Sequence, residues 1–288
     1  TSKTKLPVLF IHGIGIGLYP YVNFLSDINS GCCADDQVGI IALEVMPVSF
    51  RITHPPLSKA EMCNEIKDIL AYHNWDKVVL VSHSYGTIVS THLLKSPNAP
   101  LIGSVVLIDP VSILLHLPHV AYNFTKRKPK MANEHQLHYF ASMDMGVSHA
   151  LARHFFWAEN VLWKKDMEGR NLTVSLAGKD LIVDTKAVRQ YLTSGDLSRS
   201  PSLVSSCSST LVDVDSTHGC QVDSSSSPNE MRIAADDETA MIEDNQWKGI
   251  GIDTLWFENL DHAQVFDTQA TRQLLVKAIR KYCAQDGP

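Results

Sequence analysis

Nowhere in the 288 residues is there a Cys-x-x-Cys pair, and the six cysteines stand at no metal-like spacing with histidine. That excludes a zinc finger and a thioredoxin-type redox centre. An even cysteine count permits disulfides, but a chain of this size does not need them, so free thiols are expected and disulfide status stays open. No apolar run approaches a membrane span, and no secretory leader is visible. The first residue is Thr1 rather than Met, which suggests a processed or truncated product, and the compartment stays open. Concentrated positive charge is also lacking. The net charge is −6, and residues 194–246 hold ten Asp/Glu against two Arg, which leaves the rest near neutral and argues against nucleic acid as a partner.

The same 194–246 segment has no Phe, Tyr or Trp but thirteen serines. It cannot bury enough apolar surface to offset the entropy of ordering, so it reads as a disordered insertion. An inert surface excursion is the simple account; a phosphorylated, partner-binding segment is the alternative. Sequons at Asn123 and Asn171 are no more than chance supplies.

What is present is regular alternation. Strand patterns fall at 8–12, 39–45, 78–82, 104–108, 172–176 and 252–257. Helical patterns lie between and after them at 58–74, 86–95, 185–191 and 268–282. The first of these opens on Ser58-x-x-Glu61, a capping box. Strands alternating with helices predict an α/β fold with a mostly parallel sheet covered on both faces. Sites in such sheets form at the carboxyl ends of the strands. One stretch, 111–170, is far longer than a connection needs and is rich in aromatics and histidine. It reads as a helical cap inserted in a core formed by 1–110 and 171–288.

The stretch "VVLVSHSYGT", residues 78–87, runs from a doubly buried strand into a helix with almost no room to turn. Ser84 is at the tip. A nucleophile there needs small residues two before and two after, so that strand and helix can approach closely. Gly86 meets that need, while Ser82 stands where the usual motif has its first glycine. A helix cap is the bland alternative for Ser84. The loop "HGIGIG" after the first strand, with His12 and Gly13 as its support, is expected to offer the backbone N–H of Ile14 beside that of Tyr85 as oxyanion donors. It lacks the glycine spacing of a dinucleotide fingerprint and the lysine of a P-loop, so no cofactor is expected. An acid should follow a later strand: Asp180 is the candidate, with Asp184 and Asp109 as competitors. The base should precede the last helix, which points to His262. His83 reads as a packing residue. The pairs His116/His119 and His135/His138 lack an accompanying carboxylate motif, so no metal is expected.

With the order Ser84, Asp180, His262, the chain resembles the α/β-hydrolase superfamily over nearly its whole length outside the acidic segment. Its "HGIG" loop is similar to that of small bacterial lipases. The ensemble "LPVLFIHGIGIGLYPYVNFL", "ITHPPLSKAEMC" and "HSYGT" resembles fungal α/β-hydrolase-domain proteins of unassigned substrate. The resemblance implies the fold and a triad on Ser84, Asp180 and His262. A serine nucleophile argues against the haloalkane dehalogenase and epoxide hydrolase branches. The expectation is a serine hydrolase of carboxylic esters, lipid or otherwise. The alternatives are an acyltransferase using the same triad and a non-catalytic binding or scaffold member. The apolar "SILLHLPHVAYNF" followed by "KRKPK" suits an acyl chain or peripheral contact with anionic lipid, with a solvated loop as the plain alternative. Oligomeric state is not legible.

Overall fold

The computed structural model describes residues 4–194 and 248–285. The acidic, serine-rich segment expected to be disordered therefore lies, apart from Ser194, outside the described residues.

Six strands form one parallel sheet: β1 (Val8–Ile11), β2 (Ile40–Leu43), β3 (Val78–His83), β4 (Ile102–Ile108), β5 (Leu172–Ala177) and β6 (Ile252–Phe257). Their spatial order is β2-β1-β3-β4-β5-β6. All of β1, β3, β4 and β5 is buried on both faces, which the apolar runs VLFI of β1, VVLV of β3 and VVLI of β4 suit, while β5 buries Thr173 and Ser175 as well and β2, at the edge, is only half-buried.

Alternate side chains divide between two cores, as a two-residue period requires. Leu9, Ile11, Leu80, Leu107 and Val174 face one core with α2 (Lys59–Tyr72), α3 (Gly86–Leu94) and α8 (Thr185–Thr193). Val8, Phe10, Val81, Val106 and Phe257 face the other, which is closed by α1 (Val22–Asn29) and α9 (Gln269–Gln285). The sequence reading omits α1, whose N-cap Tyr21 makes no side-chain capping bond. Arg272 ties α9 to Asp27 of α1 at 2.7 Å.

Between β4 and β5 the chain runs through α4 (Pro118–Thr125), α5 (Ala132–Leu137), a π-helical turn (His138–Ser142), α6 (Met145–Arg153) and α7 (Trp157–Asn160). Ile113 bridges Leu162, so the two ends of this helical insertion are joined at its base. Among the described residues, Cys32, Cys33, Cys63 and Cys283 are free thiols, and no helix is long and apolar enough to cross a membrane.

Candidate active site

Ser84 sits between β3 and α3 with φ +49°, a left-handed conformation that few non-glycine residues adopt. The turn is possible because of what surrounds it. A Cβ on Gly86 would stand 2.4 Å from the Ile11 carbonyl oxygen, so only glycine lets α3 lie this close to β1. A Cβ on Gly13 would meet the Ser84 Cβ and His83 Nδ1 at 2.8 Å. Ser82 occupies the first-glycine position without strain: its side chain is buried and accepts the Ser90 hydroxyl at 2.8 Å.

Three side chains from distant parts of the chain meet at the sheet's carboxyl edge. Ser84 Oγ is 2.8 Å from His262 Nε2, and His262 Nδ1 is 2.7 Å from Asp180 Oδ2. An ionised carboxylate can only accept, so Nδ1 carries the proton of neutral His262 and Nε2 is left to accept from the Ser84 hydroxyl. The other Asp180 oxygen accepts the N–H groups of Ile182 and Val183. Burial alone would lower the His262 pKa, but the charge and hydrogen bond of Asp180, with the charges of Asp109 and Asp261, raise it to about 9.

The two competing acids have other partners. Asp184 caps the start of α8 by accepting the Ala187 N–H, and it faces His119. Asp109, at the end of β4, is almost fully buried and accepts the N–H of Ala177 at 3.2 Å and of Ala263 at 2.9 Å. It therefore ties the end of β5 to the residue after His262. Burial raises its pKa to about 7 against the lowering effect of His262. Asp261 bridges in a similar way, one oxygen accepting the N–H groups of Leu181 and His262. Donor atoms of Asp109, Asp180 and His262 lie within 4.8 Å of one another. The hydrogen bonds above already engage them, which suits proton transfer rather than metal ligation.

The loop after β1 is held from beneath. His12 is fully buried; its Nε2 accepts the Val45 N–H at 2.8 Å, and its Nδ1–H donates to the Gly13 carbonyl. Burial lowers its pKa, consistent with a neutral ring. Tyr21 accepts the Gly13 N–H, and its hydroxyl reaches His83 Nδ1 at 2.8 Å. His83 is buried as expected, but it does more than fill space. Its ring packs against His262 with centroids 5.2 Å apart, and its Nε2 lies 3.8 Å from Asp109 without a hydrogen bond. Burial, then the neighbouring His262 and His12, lower its pKa well below the ordinary value. Among the described residues, neither the Ile14 nor the Tyr85 N–H makes a hydrogen bond to protein.

Sequence reasoning missed Tyr21, Asp261 and the bridging role of Asp109. Tyr21 offered no signal. The two aspartates stood beside recognised positions, but their partners are far away in sequence.

The family described as "alpha/beta hydrolase fold" matches residues 7–192. No curated protein matches the sequence. Among solved structures, a thermophilic esterase from Thermogutta terrifontis is similar with a TM-score of 0.54 at 12% identity, over 98% of this chain and 92% of its own. A meta-cleavage product hydrolase from Pseudomonas fluorescens has a TM-score of 0.52 at 14% identity, over 97% and 92%. A serine hydrolase from Cycloclasticus zankles has 0.52 at 12%, over 96% and 90%. At such identities the likeness is one of fold.

Proposed function

The chain belongs to the alpha/beta hydrolase fold family, and from that premise we propose that it is a serine hydrolase of carboxylic esters. The observation that carries this reading is the unbroken hydrogen-bond chain Ser84–His262–Asp180. His262 Nε2 takes the Ser84 proton as Oγ attacks the ester carbonyl carbon. Asp180 holds the imidazole and stabilises its charged form. The N–H groups of Ile14 and Tyr85 bind the developing oxyanion. The carbon–oxygen bond to the alcohol breaks as the leaving oxygen takes the proton from His262. Water then attacks the acyl-serine, giving its proton to His262, and the acid leaves as Ser84 is restored.

The helices between β4 and β5 serve in this reading as a cap over Ser84. Exposed Tyr122, Met131, Tyr139 and Phe140 accompany exposed Lys126, Lys128 and Lys130, which supports transient contact of the cap with an anionic lipid surface.

The deciding experiment is labelling by a fluorophosphonate probe on the wild type and on Ser84→Ala, with heat-denatured protein as background. Labelling that disappears only in the variant and on denaturation is expected. A folded wild-type protein that takes no label would overturn the proposal and leave a binding role for the fold.

A further inference from the structure

A cavity of about 350 Å³ opens beside Ser84 beneath the helical insertion. Val111, Leu115, Phe124 and Ile182 line it and are buried, whereas Ala121 and Trp157 are exposed lining residues. The cavity therefore has an apolar floor and a rim formed by the insertion. A larger cleft, about 1220 Å³ along α2 and α3, does not include Ser84.

Three features decide what fits. The first is which side of Ser84 the cavity takes. Its walls include Ser84, Ile14 and Tyr85, but neither His262 nor Asp180. The leaving alcohol must lie where its oxygen can take a proton from His262 Nε2, so the half of the ester in this cavity is the acyl half. The second is charge. No Asp, Glu, Lys or Arg lines the cavity, and the titratable side chains in its wall are Tyr85 and His116. A charged acyl group would lose its hydration there without gaining a partner. The third is size. The volume is near the small end of the range of roughly 300–1,000 Å³ for small-molecule sites. An acetyl group would leave the floor uncovered, and a long fatty chain would overrun the rim.

We propose that the substrates are esters of uncharged, apolar acyl groups of medium length, with the acyl chain lying on Val111, Leu115, Phe124 and Ile182. This rests on the serine-hydrolase reading above. Burial of each methylene on that floor favours the reaction by about fourfold until the cavity is full.

The test compares kcat/KM for monomeric p-nitrophenyl acetate, butyrate, octanoate and dodecanoate, and sets p-nitrophenyl hexanoate against the mono-p-nitrophenyl ester of glutarate. The expected profile rises at least tenfold from acetate to the medium chains and falls again at dodecanoate. The glutarate ester should be slower than the hexanoate by roughly a hundredfold. Ala121→Phe should lower the octanoate-to-acetate ratio, and Phe124→Ala should raise the dodecanoate-to-octanoate ratio. Fluorophosphonate labelling of each protein reports separately whether Ser84 is competent. A labelled enzyme that prefers acetate, accepts the glutarate ester equally well, or shows the same profile in labelled variants overturns the acyl-cavity proposal. An unlabelled wild type instead overturns the hydrolase reading beneath it.

Discussion

Behind Ser84 the polar side chains are buried and pinned; in the helical insertion between β4 and β5, large apolar side chains stand in solvent. His12, Tyr21, His83 and Asp109 are all nearly inaccessible, and between them they hold the backbone of Gly13, Val45, Ala177 and Ala263. Across the insertion, Tyr139, Phe140, Met143, Met145 and Phe156 are each more than half exposed. The first region is closely tied, since Asp180 accepts two loop N–H groups besides His262, and Asp109 links the end of β5 to the residue after His262. The second is held by fewer constraints. Chemistry is expected to be sensitive to small changes below Ser84, and specificity to be adjustable in the insertion.

The sharpest way to break that contrast is to remove the groups proposed to react. Ser84→Ala or His262→Ala should each lower kcat by about 10⁶-fold, with melting temperatures near wild type. A variant keeping a hundredth of wild-type turnover would show that the lower region is not the machine. Next comes the close approach at the elbow. Gly86→Ala puts a methyl against two backbone carbonyl groups, neither of which can rotate away. It should cost about 1–3 kcal/mol in urea unfolding. An unchanged midpoint would mean the elbow is looser than its contacts imply.

Asp109→Asn is a smaller perturbation. It removes one charge that raises the His262 pKa and weakens the tie to Ala263. A loss of about tenfold in kcat/KM is expected, and the pH profile gives the sign. The base must be neutral and its pKa is raised, so free-enzyme activity should climb as pH rises from the ordinary imidazole range towards about 9. In Asp109→Asn that limb should move to lower pH, which loss of packing alone would not cause. The smallest effect is expected in the insertion. Tyr139→Ser and Met145→Ser should change unfolding free energy by less than about 0.5 kcal/mol. Both should reduce co-sedimentation with anionic vesicles, if the cap meets lipid as proposed.

The strands were legible because β1 is wholly apolar, β3 opens on four apolar residues and β4 closes on four, while β5 alternates apolar with small hydroxyl residues, all of which suit a doubly covered sheet. Helix α2 announced itself through Ser58 and Glu61, whose reciprocal capping bonds are present. The helices of the insertion left weaker marks, since α4 and α7 begin at Leu117 and Phe156 without a capping side chain. Ser84, Asp180 and His262 stood out because each follows a strand in a recognisable order. Asp180 could not be separated from Asp109 and Asp184 by position alone. What separates them is which backbone N–H groups each accepts, and for Asp109 those lie 68 and 154 residues away. Such pairings depend on the sheet order, which local pattern does not encode.

Ser84, Asp109 and Ala263 all hold positive φ, and all three meet at this one site. An L-residue in that conformation costs roughly 1–2 kcal/mol, so glycine would suit these positions better on conformational grounds alone. Under selection for stability alone, drift would therefore favour glycine at Ser84, whereas at Asp109 the two N–H groups it accepts work against that change. A lineage released from the need for catalysis should lose its serine early, while the buried aspartate and the sheet beneath persist.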